Sequence, residues 1–184
     1  MKKVLFGLGL ALLVYGGYTA YEFYNSLGLS PRGQATYQTQ DITIDLDYGR
    51  PYKRGRKVFG GLVQYGEYWR TGANEATEIE FSRDVVFGGK PIKKGRYRLY
   101  SIPESARWTI VLNSELAQWG KFEPNYDLDV LRVEVPVLSP KEEVEQLTIE
   151  FQPDENGAQL LFKWNRTLTR VPIKWKNPPV SSLK

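Results

Sequence analysis

The chain contains neither cysteine nor histidine. Without cysteine there can be no disulfide, no thiolate nucleophile and no cysteine-based zinc site. Without histidine the commonest metal ligand and the usual general base near neutral pH are gone, and a Ser-His-Asp triad is excluded. Any metal would have to be a hard cation on oxygen ligands. Any enzyme would draw its acid and base from carboxylates, lysine, tyrosine or a cofactor. Concentrated charge of one sign is also missing. The net charge is only +4, from 25 basic and 21 acidic residues, which gives no basis for a nucleic-acid footprint. The residues imply no metal and no cofactor.

Long apolar runs are absent except for one, and it is terminal. Lys2 and Lys3 precede VLFGLGLALLVYGGYTA, from Val4 to Ala20. With the aromatics that follow, the run reaches the length of a bilayer-spanning helix. A cleaved secretory signal would have a shorter apolar core and small residues before the cut. Tyr18 occupies the upstream small-residue position of Tyr18-Thr19-Ala20, so an uncleaved anchor over residues 1–26 is expected. Val4, Leu8, Leu12, Tyr15, Tyr18 and Tyr21 would face lipid, the tyrosines at the interfacial aromatic belt. The paired lysines place the N-terminus in the cytoplasm and the rest of the chain outside it. Gly9, Gly16 and Ala20 either let another helix approach closely or, the favoured reading, reflect how common glycine is in membrane helices.

Aromatic residues are plentiful, at 14%, enough to fill a core without staples. After a polar connector over 27–36, apolar and polar residues alternate. Ile42, Ile44, Leu46 and Tyr48 form one such series, and Ile79 and Phe81 another. Trp108, Ile110 and Leu112 follow, then Leu131, Val133, Val135 and Val137, then Leu147, Ile149 and Phe151. Leu160, Phe162 and Trp164, then Ile173 and Trp175, complete the set. Gly88-Gly89 and Lys93-Lys94-Gly95 supply turns within Val85 to Ile102. The pattern predicts an all-β domain over 37–175, an antiparallel jelly-roll-like β-sandwich of about eight to ten strands. The helical candidates are the N-terminal transmembrane helix and a turn near Ser114–Gln118. Residues 176–184, with two prolines and two serines, read as a flexible tail.

One stretch fits neither period. Val58 to Thr77, VFGGLVQYGEYWRTGANEAT, is rich in glycine and aromatics and ends in a polar cluster. Such a segment is a structured loop of the kind that displays function. Through Gly61-Leu62-Val63, Tyr65-Gly66 and the WRTGANE run Trp69 to Glu75, the sequence resembles an uncharacterised bacterial extracytoplasmic family, the domain-of-unknown-function family "twenty-nine eleven". Ser30-Pro31-Arg32, Arg50-Pro51, Gly55-Arg56, Ile102-Pro103, Trp119-Gly120 and Asp129-Val130 match in order, so the resemblance covers about residues 30 to 150. It implies a compact extracytoplasmic β-domain and transfers no activity. Gln64 stands where the family commonly has proline.

The binding candidates are Trp69, Arg70, Thr71, Asn74 and Glu75. Arginine offers a planar fork for an oxyanion, asparagine and glutamate hydrogen-bond polar ligands, and Trp69 or Tyr68 would stack on a sugar ring. The alternative is that these groups satisfy one another and brace the loop. Arg50, Lys53, Arg54, Arg56 and Lys57 form a basic loop that would meet anionic headgroups or simply be solvated. Glu123, Asp127 and Asp129 have loose calcium-ligand spacing without the glycine and terminal glutamate of a calcium loop. Trp108, Trp119, Trp164 and Trp175 read as core. No residue is assigned a catalytic role.

The expected protein is therefore a single-pass module of a bacterial inner membrane with a periplasmic domain. Its first functional reading is a non-catalytic accessory or interaction subunit of an envelope assembly, with the membrane and other membrane-protein subunits as partners. A module binding a carbohydrate or anionic ligand through the WRTGANE loop is the second. A carboxylate-dependent enzyme is the third, and it needs a second acid within reach of Glu75.

Overall fold

A computed structural model describes residues 2–116, 119 and 122–175. One helix precedes eleven strands among them. Helix α1 (Lys2–Leu29) is followed by β1 (Arg32–Gln38), β2 (Thr43–Gly49), β3 (Thr77–Phe81), β4 (Val85–Phe87), β5 (Lys90–Ile92) and β6 (Gly95–Pro103). Then come β7 (Arg107–Asn113), β8 (Asp129–Pro136), β9 (Val144–Asp154), β10 (Gly157–Asn165) and β11 (Thr167–Lys174). A 3-10 turn at Tyr126–Leu128 is capped by Asn125, whose side chain accepts from the Asp127 N–H at 3.0 Å.

The strands pair antiparallel in two sheets, in the orders β1-β2-β3-β6-β7-β8 and β5-β4-β11-β10-β9. Alternation decides what each strand buries. In the first sheet Ile44, Leu46, Ile79, Phe81, Leu99, Trp108, Ile110, Leu112, Leu131 and Val133 turn inward. In the second, Phe87, Leu147, Ile149, Leu160, Phe162, Trp164, Val171 and Ile173 do the same. The two apolar faces share one core, and each fully buried large side chain contributes ~1.5–3 kcal/mol. Strand β1 lies beside β9, and β8 beside β11 and β5, so the sheets also meet along their edges.

The all-β sandwich is as the alternation predicts, with differences of detail. Consecutive strands pair mostly as hairpins, and only β4 and β5 leave the first sheet before β6 returns to it. That is not the winding between sheets that a jelly roll requires. The strand count exceeds the expectation partly because β1 occupies the stretch read as a connector. Its polar residues Gln34, Thr36 and Gln38 alternate with Ala35 and Tyr37, which pack on the core margin. With α1 running to Leu29, the connector over 27–36 narrows to Ser30 and Pro31. Ser114 to Leu116 form no helix, and Gln118 and the tail over 176–184 lie outside the described residues.

The side chains of Leu8, Leu12, Tyr15, Tyr18 and Tyr21 are exposed along α1; that of Val4 lies outside the described residues. Among the described residues no helix is long and apolar enough to cross a membrane.

Candidate functional site

The loop between β2 and β3 folds inward. Val58, Phe59 and Val63 are buried, and the chain closes a tight turn in which the Gly60 N–H donates to Val63 O at 2.8 Å. Gly60 sits at φ +72, a left-handed conformation that glycine adopts freely. Gln64, where proline is expected, reaches back to donate to the Gly61 carbonyl at 2.7 Å. A side-chain tie thus stands where a ring would have restrained the backbone.

Trp69 is buried at 8% exposure. Its ring stacks on Trp164 at 5.9 Å and meets Trp108 and Phe59 edge-on at 5.6 and 5.8 Å. Its indole N–H donates to Gly72 O at 3.2 Å, and its backbone exchanges two hydrogen bonds with Ser101 on β6. Buried among core aromatics, the ring is no platform for a sugar. Thr71 is wholly buried, held at φ +54, with its hydroxyl 2.8 Å from that of Ser101. Its carbonyl accepts from the Thr77 hydroxyl at 3.1 Å.

The polar end of the run is tied as well. Arg70 donates to Asn74 O at 3.3 Å, and the Asn74 amide donates to Ser30 O at 3.3 Å. Glu75 pairs with Arg32 of β1 at 3.5 Å, and Arg32 also lies 3.8 Å from Asp47 of β2. Asp47 is thus a second acid near Glu75, with an arginine charge between the two. Gly49 and Gly72 let the loop press onto the end of β2: a Cβ on Gly49 would lie 2.0 Å from Ala73 O. The loop is thereby a brace that pins β1, β2 and β6 together, and Trp69, Thr71, Asn74 and Glu75 spend their polar groups within it.

The basic loop is likewise largely consumed. Arg50 donates to Leu147 O and to the Thr148 hydroxyl at 3.3 and 3.4 Å, and Lys53 pairs with Glu143. Arg54 reaches Leu29 O at 3.0 Å, and Arg56 binds the carbonyls of Tyr52 and Lys53 at 2.7 and 2.9 Å. Lys57 is exposed. Among the acids considered for calcium, Asp129 is ion-paired with Arg132 at 2.6 Å and Glu123 accepts from Tyr126 at 2.7 Å. Among the described residues no group of acidic side chains is arranged to hold a metal ion.

The pattern of alternation conceals a second polar cluster, on the outer face of the first sheet. Arg98 and Tyr100 are two residues apart on β6, so they share that face, and both are wholly buried. Arg98 donates from Nη2 to the Tyr68 hydroxyl and to Phe122 O, each at 2.5 Å. Tyr100 donates to the Asp129 carboxylate at 2.9 and 3.0 Å, and Asn113 adds a bond to it at 2.8 Å. Burial, then the bonded Asp129 carboxylate, holds the Tyr100 hydroxyl far above its ordinary pKa. The Asp129 bond raises the Arg132 guanidinium in turn. An arginine and a tyrosine on the outward parity of a strand are the one sequence signal for this cluster. Phe122 and Tyr68 lie against that face, which parity does not reveal.

Residues 30–173 match the model of a protein family described as being of unknown function, DUF2911. Curated proteins and solved structures gave no match.

Proposed function

The chain belongs to the DUF2911 family, and from that premise we propose that it is a membrane-anchored, extracytoplasmic interaction module without catalytic function. The observation that carries this reading is the contrast between its two parts. The sandwich buries its apolar side chains and closes the WRTGANE loop on itself. Helix α1 instead leaves Leu8, Leu10, Leu12, Leu13, Val14 and four tyrosines exposed. A helix that is apolar all round suits lipid or other helices better than water.

The run from Val4 to Ala20 and the lysines before it support a single pass through the bacterial inner membrane. The N-terminus would then be cytoplasmic and the domain periplasmic. Gly9, Gly16 and Gly17 leave open space along the helix, which favours close helix–helix contact with another membrane subunit. A sugar site at the WRTGANE loop has less support, because Trp69 is buried and Glu75 faces Arg32. An enzyme using Glu75 has less still.

The test is fractionation followed by gentle purification from native membranes. The full chain should stay in the membrane pellet after an alkaline carbonate wash, while a chain beginning at Ser30 should be released. The full chain should also bring down a partner in fixed ratio. Recovery of the full chain in the soluble fraction, or as a partner-free monomer, would overturn the reading.

A further inference from the structure

Among the described residues Arg98 makes no ion pair. Its side chain has no exposure to solvent, and Nη2 spends its hydrogens on Tyr68 and Phe122. Nε and Nη1 have no acceptor, which leaves three of the five guanidinium N–H bonds orphaned. A buried charge in that condition costs several kcal/mol unless something pairs with it.

The surrounding residues do not pair with it. Glu78, opposite Arg98 in register on β3, gives its carboxylate to Arg96 at 2.6 Å. Asp129 is held by Tyr100 and Arg132, and Glu123 by Tyr126. Neither Arg98 nor Arg70 takes part in an ion pair among the described residues. The β7–β8 connection residues outside that set, Ala117, Gln118, Gly120 and Lys121, carry no carboxyl group.

A second guanidinium lies close by. Arg70 is half-buried, and burial lowers its affinity for its proton, opposed by Tyr68 and aided by the charge of Arg98. Tyr68, also half-buried, has the Arg98 guanidinium 5.6 Å from its ring centre and feels the charge of Arg70 as well. Like charges held near each other repel, and an anion bound between them relieves that repulsion.

We propose that Arg98 and Arg70, with Tyr68 beside them, form a binding site for a phosphate-class oxyanion. Three orphaned N–H donors need acceptors in several directions. A tetrahedral oxyanion supplies these, whereas chloride is a single point and water leaves the charge unbalanced. A phosphate carrying about −1.5 to −2 also matches two guanidinium charges. Half-buried Arg70 and Tyr68 mark the side from which the anion would enter. The source is inorganic phosphate, a soluble phosphoester or a lipid headgroup. The site stands independently of the membrane reading.

The test is titration of the full chain in mild detergent with inorganic phosphate, holding ionic strength constant with chloride, read by calorimetry and by Tm. A saturable response with Kd at or below ~1 mM is expected, with Arg70→Gln weakening it at least about tenfold, as loss of a charge-assisted contact does. Arg98→Met should abolish the response while melting, without phosphate, no lower than the wild type, since it removes an uncompensated buried charge. Competition by a short-chain phosphatidic acid monomer would identify a headgroup as the source. Phosphate binding that it leaves unchanged would identify a soluble ligand, and either result upholds the site. A wild type that responds no more to phosphate than to chloride would overturn the proposal. So would an Arg70→Gln protein that binds phosphate as the wild type does.

Discussion

Trp69 and Glu75 stand six residues apart in one run and differ in what they do. Trp69 fills the centre of an aromatic cluster with Phe59, Trp108 and Trp164. Truncating it to alanine should cost about 3–5 kcal/mol, as loss of a large buried aromatic does. Glu75 retains 41% side-chain exposure in a long ion pair, so Glu75→Gln should cost under ~1 kcal/mol. Urea unfolding of the two variants checks the ranking, and comparable losses would contradict the brace described for the loop. Gly49 is the less visible member of the brace. Any side chain there meets the Ala73 carbonyl at 2.0 Å, and backbone cannot retreat as a flexible side chain would. Gly49→Ala should therefore destabilise by about 2–4 kcal/mol, measured the same way.

Among the described residues, α1 shows few ties to the sandwich. A hydrogen bond from Arg54 to Leu29 O joins its last residue to the domain, while the sheets hold each other through two complete apolar faces. A chain starting at Ser30 should accordingly keep the Tm of the full chain within about 3 °C, on the scale at which 1 kcal/mol shifts a domain of this size. A fall beyond ~10 °C in differential scanning calorimetry would mean that the helix supports the sandwich. Most strands were legible in the sequence because each buries one face, and Ile42 to Tyr48 or Trp108 to Leu112 display that directly. Strand β1 was not, because its exposed face is polar and its inward residues, Ala35 and Tyr37, are only partly buried at the core margin. The turn read near Ser114 also failed as a helix: the Ser114 hydroxyl and N–H both turn to Leu128 O instead.

For the whole molecule, the absence of histidine sets the pH response. No histidine imidazole titrates between about pH 5 and 9, so stability should be flat there. On the alkaline side, burial raises the hydroxyls of Tyr48, Tyr68 and Tyr100 in the folded state, and burial together with Glu123 pushes Tyr126 up to about 12. The unfolded chain then releases these protons first. Their contribution is fully present below ~pH 10 and is lost as pH rises beyond it towards the folded values. On the acid side the lowered groups, Asp84, Glu143 and Asp154, are exposed. Their contribution is present above the ordinary carboxylate pKa and is lost as pH falls below ~4, and screening keeps it small. A plot of Tm against pH should show a plateau, a shallow acid limb and a steep alkaline limb. Tyr100→Phe should flatten the alkaline limb while lowering the plateau by about 1–2 kcal/mol for the lost bond to Asp129. An alkaline limb unchanged by Tyr100→Phe would refute this assignment.

By itself the sequence determined the class of the domain, the exclusion of histidine and cysteine chemistry, the position of the glycine- and aromatic-rich loop and the apolar character of the N-terminal run. These are properties of composition and local period, which residues carry wherever the chain folds. Only the tertiary structure decided that Trp69 faces inward and that Arg32, Asp47 and Glu75 meet from three elements. It alone placed Arg98 beneath Tyr68 with Arg70 beside it. Such facts depend on which elements cover one another. Strand parity assigns a side chain to a face but cannot say whether that face meets solvent or a neighbouring loop, and for Arg98 that difference turns a solvated surface charge into a buried one.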